Sequence, residues 1–245
     1  MSTQSTGQLV RAELLKVRTT RSGWLLPLVA IVLPLVFPVG SVLRAEGLTP
    51  EIQETALAVT TLVVAMVLVG LGALAVTSEF RHHTVVPTTL AAPKRNQVLA
   101  AKYAAAAIFT GLVGLAALVV TAITLAGLAA ATGEPVAIGD DLATFVPRAI
   151  AGLVLWTLAG VAVGSAARNS AGALVGIYLG WAVLPMVAAA AAMPSLLPWV
   201  QPLDAVGAVA GFGDLMSGGQ ALATLAVWIT APAAVGLLAL RGDVS

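Results

Sequence analysis

Few residues in this chain have types and spacing that could do chemistry. Cysteine is absent, which removes thiolate nucleophiles, disulfides and cysteine metal sites. The only two histidines, His82 and His83, are adjacent. Neighbouring residues do not share a helix face, and no carboxylate–histidine cluster surrounds them, so the pattern is not that of a metal site. Ser217-Gly218-Gly219-Gln220 reproduces a run that ATPases place against nucleotide. A working ATPase also needs a Gly-rich loop ending in Gly-Lys-[Ser/Thr], and no Gly-Lys pair occurs anywhere in the chain. The run leads straight into Ala221-Leu222-Ala223 and reads as a helix start that Ser217 caps. No catalytic residue and no cofactor bound by this chain are expected.

The elements around these residues are dictated by composition. Of 245 residues 59% are hydrophobic and 9% charged, with a mean hydropathy of +1.00. A soluble domain carries roughly 25% charged residues because its surface faces water. Crossing the hydrocarbon core takes about 20 mostly apolar residues. Six runs qualify, at 23–43, 56–77, 103–131, 149–167, 171–193 and 221–240. Arg168-Asn169-Ser170 is then a tight hairpin between the fourth and fifth, because the run on both sides is too long for one span. Residues 194–219 contain Pro198, Gln201, Pro202, Asp204 and Asp214 and read as short external or re-entrant helices. Pro27, Pro34, Pro38, Pro185 and Pro232 are expected to bend their helices. The polar first twenty residues are not a cleaved signal peptide.

Charge sets the orientation. With the N-terminus cytoplasmic, Arg11, Lys16, Arg18, Arg21, Arg81, Lys94, Arg95, Lys102, Arg168 and Arg241 fall inside, and only Arg44 and Arg148 fall outside. Lysine and arginine bias is what the positive-inside rule weighs, so both termini are expected in the cytoplasm. A net charge of +1 supplies no basic face for nucleic acid. The six span cores contain no Asp, Glu, Lys, Arg or His, whereas ion-coupled transporters commonly keep ionisable groups at depth. Thr60, Thr61, Thr110, Thr121, Thr124, Thr157 and Tyr178 remain as polar groups there; hydroxyls in such helices usually bond to their own helix or a neighbour, and none is nominated as a ligand.

Two cytoplasmic segments can meet a partner. Residues 8–22 read as an amphipathic helix with Val10, Leu14 and Val17 at helical spacing and Arg11 and Arg18 along one edge, suited to the headgroup layer. Residues 78–102 form the one large cytoplasmic loop, where Val85, Val86 and Leu90 offer apolar contact between charged flanks. For both, the plainer alternative is a solvated basic stretch that only holds topology. Gly172, Gly176 and Gly180 lie four apart on the fifth span, and Gly160 and Gly164 repeat the spacing on the fourth. Such stripes let backbones approach closely in lipid, either within one chain or between two.

Glu13-Leu14-Leu15-Lys16-Val17-Arg18-Thr19-Thr20-Arg21-Ser22 followed by Trp24 resembles the N-terminal signature of type-2 ABC exporter permeases. Their second span ends in a Glu-aromatic-Arg run leading to a Thr, matched by Glu79-Phe80-Arg81 and Thr84. The six-span order, the tight hairpin and the broken segment before the last span extend the resemblance over the whole chain. It implies a coupling helix in 78–102 that docks on a separate ATP-binding subunit, which carries the ATP and Mg. Glu79, Phe80, Arg81 and Thr84 would sit at the loop entrance, with Val86, Pro87 and Leu90 on the docking element. Glu13 and Lys16 would be N-terminal contacts to that subunit. A second permease copy or homologue would complete a dimer, with membrane lipids as the other partner.

The expectation is therefore a single all-α permease domain, 1–245, in a bacterial plasma (inner) membrane, the Ala/Val/Gly-rich, Arg-over-Lys composition suggesting a high-GC bacterium. It would have six spans, an interfacial N-terminal helix and re-entrant helices before the last span. Its cargo would be amphipathic, lipid-like or a drug or peptide. The alternatives are a non-transporting membrane scaffold or immunity factor, and an ion-coupled transporter.

Overall fold

A backbone in lipid must satisfy its hydrogen bonds within its own segment, so long apolar runs can only be helices. The computed structural model describes residues 6–44, 47–81, 95–137, 142–191, 195, 197–212 and 216–242, and among these it contains helices and turns but no strand. The helices are α1 (Thr6–Thr19), α2 (Arg21–Val32), α3 (Val36–Leu43), α4 (Pro50–Arg81), α5 (Arg95–Thr132), α6 (Leu142–Ala167), α7 (Ser170–Ala190), α8 (Leu197–Val200), α9 (Pro202–Ala210) and α10 (Gly218–Gly242). Five stretches are long and apolar enough to cross a membrane: Gly23–Leu43, Pro50–Ser78, Gln97–Thr132, Leu142–Ala167 and Gly218–Gly236. The chain is thus built as a multi-pass membrane protein. The predicted fifth span, 171–193, corresponds to the 21-residue helix α7, whose described apolar stretch, Ser170–Gly180, is shorter than those five.

The predicted boundaries need correcting where charge begins. Residues 78–81 continue α4 and residues 95–102 already belong to α5, so both ends of the expected 78–102 loop are helix, and its middle, 82–94, lies outside the described residues. Hydropathy stops at the first charged residue, but Glu, Arg, Gln, Lys and Ala are good helix formers and carry the helix beyond lipid. At 38 residues, α5 is about 57 Å long, well beyond the roughly 30 Å hydrocarbon core. The first span is interrupted at Pro34, whereas Pro27 lies inside α2 and Pro38 inside α3. A 3₁₀ turn at Leu33–Leu35 contains buried Pro34 and separates α2 from α3.

The centre of the bundle is α6, packed against α4, α5, α7, α9 and α10. Its crossing with α4 is the closest. A Cβ on Gly164 would lie 2.6 Å from the Ala73 carbonyl oxygen, one on Gly72 would lie 2.5 Å from that of Thr157, and one on Gly160 would collide with the Val69 carbonyl oxygen. The glycine spacing read from the fourth span is therefore used inside the chain, where it replaces the hydrophobic drive that lipid does not provide. Trp156 of α6 is buried and meets Trp228 of α10 edge to face, with centroids 5.7 Å apart.

Pairings along the bundle fix the directions. Gly160 and Gly164 meet Val69 and Ala73 in the same order, so α4 and α6 run parallel. Ser170 meets Thr77 while Tyr178 meets Met66, so α7 runs antiparallel to α4. Gly236 of α10 lies against Ser165 of α6. The C-terminal ends of α4, α6 and α10 thus share one end of the bundle with the N-terminal part of α5. Among its described residues the predicted broken segment contains two short helices, of which α9 buries Leu203, Ala205 and Val206 in the main core and Ala210 in a second apolar cluster. This helix packs inside the bundle rather than on its surface, and it closes on Gly211, whose φ of +99° is the left-handed cap that glycine adopts without strain.

Candidate functional site

The end of the bundle that carries the 82–94 connection is assembled from four chain segments. First, α1 turns back from α2 at a tight elbow, where Gly23 donates its N–H to the Thr20 carbonyl at 3.0 Å. A side chain at Gly23 would strike the Val17 carbonyl oxygen, so only glycine fits. The elbow lays α1 against α5. Leu9, Val10, Glu13, Leu14 and Val17 form its half-buried stripe, whereas Arg11, Leu15, Lys16 and Arg18 are exposed. The predicted apolar face of the N-terminal helix is therefore turned towards the protein.

Glu13 lies in the middle of that stripe. Its side chain is 12% exposed and accepts hydrogen bonds from Lys102 of α5 at 3.0 Å and from Lys16 at 2.7 Å. The side chain of Lys102 is 6% exposed, that of Lys16 48%. Lys102 is the one buried cationic residue among the described residues. An ammonium group is tolerated there because a carboxylate faces it. Glu13, which the resemblance implies as a contact to another subunit, thus pairs with Lys102 within this chain, while Lys16 keeps an exposed flank.

The second junction lies between α4, α5 and α6. Phe80 and Tyr103 pack on Val76, Ala106 and Val161, so both helices that flank the 82–94 connection are anchored on the same small cluster. Phe80 also lies under the Arg168 guanidinium, 5.9 Å from ring centroid to Cζ, within range of a cation–π attraction of about 0.5–1 kcal/mol. Arg168 occupies the left-handed region, φ +52°, and makes the sharp reversal between α6 and α7 that the sequence predicted. Asn169 caps α7 by accepting from the N–H groups of Ala171 at 2.9 Å and Gly172 at 3.3 Å. Ser170 donates to Thr77 at 2.9 Å, and Thr77 donates to the Ala73 carbonyl at 3.0 Å. Thr77, Phe80, Arg168, Asn169, Ser170 and Ala171 line a cleft of about 340 Å³ at this corner.

Of the sequence-derived candidates, Glu13, Lys16 and Phe80 come together at this end. The backbones of Glu79 and Arg81 form the last turn of α4. Thr84, Val86, Pro87 and Leu90, with His82, His83, Val85 and the run to Lys94, lie outside the described residues. The α7 glycines divide. Gly172 approaches only Asn169, Gly180 meets Trp228 at 3.7 Å, and Gly176 has nothing within 4 Å. Val175 and Leu179 beside them are 57% and 55% exposed, so this face has little to pack on within the chain.

Five of the seven span hydroxyls bond to their own helix or a neighbour, as expected, whereas buried Thr110 and Thr157 have no hydrogen-bond partner among the described residues. Thr60, Thr61 and Thr124 donate to carbonyls four residues back, Tyr178 donates to the Met66 carbonyl at 2.7 Å, and Thr60 and Thr121 face each other at 3.0 Å across α4 and α5. The pocket between Met66, Val69, Trp156, Ile177, Tyr178 and Leu203 measures about 10 Å³, barely room for one water. The Ser217 cap is realised with Gln220 as its reciprocal partner. The Gln220 N–H donates to Ser217 Oγ at 3.3 Å and the Ser217 N–H to Gln220 Oε1 at 3.1 Å, a capping box that accounts for the nucleotide-signature look-alike.

Two features escaped sequence reading. The Lys102–Glu13 pair spans 89 positions, and the sole hint was an isolated acid in a basic segment. At the opposite end, buried Gln53 donates to the Leu48 and Pro135 carbonyls and accepts from the Ala137 N–H, all at 2.9 Å; no local signal marks this staple. The chain matches no protein-family model and no curated protein.

Proposed function

We propose that this chain is the membrane-spanning subunit of an ATP-driven exporter, with six spans, α7 being the fifth, and both termini cytoplasmic. It binds no nucleotide. A separate ATP-binding subunit of the ABC type grips the 82–94 connection, and the chain moves an amphipathic, lipid-like, drug or peptide cargo by alternating access. The observation that carries this reading is the construction of one end of the bundle. The last turn of α4, the first turns of α5 and the N-terminal helix α1 are tied together there by Phe80, Tyr103 and the Lys102–Glu13 pair. A push delivered to the connection would reach three helices at once. Of the basic residues that vote for a cytoplasmic face, the nine that are described sit at this same end.

Two further observations support it. Among the described residues no ionisable side chain is buried in the middle of a span, so fuel from a partner suits the chain better than an internal ion relay. The pocket between α4, α6 and α7 is too small for any cargo, and the α7 face around Gly176, with Val175 and Leu179 exposed, offers a surface for a second copy, which supports a path between two subunits.

The test is co-purification. The tagged chain, co-expressed with candidate ABC ATPases, should retain one of them, and Arg81→Glu or deletion of residues 85–90 should release it. Retention of none, or retention indifferent to both changes, refutes the reading.

A further inference from the structure

The way Glu13 is used leaves the outer face of α1 with an unusual charge pattern. Among the described residues up to 44, Arg11, Lys16, Arg18, Arg21 and Arg44 are the cations and Glu13 is the one acid. Glu13 points inward to Lys102. Residues three and four apart share a helix face, so Arg11, Leu15 and Arg18 form one ridge, two turns and about 10 Å long, opposite the stripe that packs on α5. All three are exposed, Leu15 to 53%. Arg21 follows at the elbow, also exposed. Among the described residues none of the three arginines has an ion-pair partner. Directly after them comes Trp24, 56% exposed, which begins an outward stripe continued by Leu25, Leu28, Val29 and Val32. That stripe belongs to a helix apolar enough to cross the bilayer, so it faces acyl chains. Basic ridge, interfacial tryptophan and lipid-facing stripe follow one another along eighteen to twenty-two residues of chain in the order in which a bilayer presents phosphates, glycerol region and hydrocarbon.

We propose that Arg11, Leu15, Arg18, Arg21 and Trp24 form a docking surface for anionic phospholipid headgroups of the inner leaflet. The inner-leaflet assignment rests on the cytoplasmic placement of α1 in the reading above. Guanidinium groups match phosphate oxygens with paired hydrogen bonds, Leu15 enters between headgroups, and Trp24 marks the depth. An acidic face of a partner protein would match the arginines too, but not an exposed leucine and tryptophan that run on into a lipid-facing stripe. The Lys102–Glu13 pair and the Gly23 elbow hold the ridge at a fixed pose, so binding orders no new helix.

The experiment uses the whole chain, reconstituted in phosphatidylcholine with a trace of spin-labelled phosphatidylglycerol or spin-labelled phosphatidylcholine, and compares the two association constants. Wild type should prefer phosphatidylglycerol, and about 0.5 M salt should weaken the preference by screening. Each neutralised arginine should cost up to roughly fivefold in the association constant, so Arg11→Gln/Arg18→Gln/Arg21→Gln should bring the preference close to one. The lysine counterparts keep the charge and should keep most of the preference, and Arg44→Gln at the other end of the first span should change nothing. A glutamine triple variant that still prefers phosphatidylglycerol as wild type does overturns the proposal. So does a triple variant that keeps its lipid preference but releases an ATP-binding partner, since the ridge is then a protein contact. A membrane-impermeant maleimide on Gln8→Cys reports the side separately; labelling from outside overturns the inner-leaflet assignment and the function it rests on, whatever the lipid preference.

Discussion

Removing one member of the Glu13–Lys102 pair should cost more than removing both. At 3.0 Å and an effective dielectric of about 20, the attraction is about 5.5 kcal/mol. Desolvation of the two groups offsets much of it, which is why buried ion pairs add little net stability yet are expensive to break from one side. The two sides are unequal here. Glu13→Gln leaves the Lys102 ammonium, 6% exposed, without its carboxylate, and we expect a loss of about 2–3 kcal/mol, below the usual 3–5 because Lys102 retains a further interaction. Lys102→Met leaves Glu13 still bonded to Lys16 at 2.7 Å and fills the site with an apolar chain of similar length, for about 1 kcal/mol. Glu13→Gln/Lys102→Met leaves no buried charge and should cost less than Glu13→Gln alone, a coupling of about 2 kcal/mol or more. Thermal unfolding in detergent, followed by tryptophan fluorescence, should show the Glu13→Gln loss as a fall in Tm on the order of 5–8 °C. Equal costs for the two single variants, or a double variant that equals their sum, would refute the reasoning.

Three other perturbations test the packing. Gly160→Ala sets a methyl against the Val69 carbonyl oxygen and should force α4 and α6 apart at a cost of about 1–3 kcal/mol, read as a lower Tm. A Cβ at Gly176 meets nothing within 4 Å among the described residues, so Gly176→Leu should leave Tm of the isolated subunit unchanged, while cysteine crosslinking between two copies, if α7 forms the proposed interface, should fall; persistence of that crosslink removes α7 from it. Burial raises the Asp204 carboxyl above its ordinary range. The folded protein therefore holds that proton more tightly than the unfolded chain, and stability is greatest below the ordinary carboxylate range and declines as pH rises through the folded-state value. Asp204→Asn should remove that decline, visible as a flatter Tm against pH and no loss at neutral pH.

What the sequence disclosed and what it withheld divide along physical lines. Hydropathy depends on composition within a window, so the apolar stretches of all five long helices were legible. The Arg168-Asn169-Ser170 reversal was legible too, because three polar residues interrupt an apolar run too long for one crossing. The Ser217 cap and the broken segment before α10 follow from local chemistry of the same kind. Helix ends beyond the membrane were not legible from hydropathy, since α4 and α5 continue through Glu79, Arg81, Arg95 and Lys102 on helix propensity after lipid compatibility has ended. Glu13 shows the deeper limit. In sequence it is a charge beside a hydrophobic stripe, and only the family resemblance gives it a role, as a contact to another subunit. Once α5 extends as helix through Lys102, the same stripe has a protein surface to cover. A carboxylate in its middle then becomes the group that lets a buried lysine exist. Correcting where α5 begins therefore corrects which way α1 faces, and from that follow both the inward Glu13 and the outward arginines. The 82–94 connection is the other side of the same geometry. Its flanks converge on Phe80 and Tyr103, so a partner that grips it acts on helices already joined to α1. On the exporter reading proposed above, severing Lys102 from Glu13 while leaving the connection intact should then weaken transport more than it weakens retention of an ATPase.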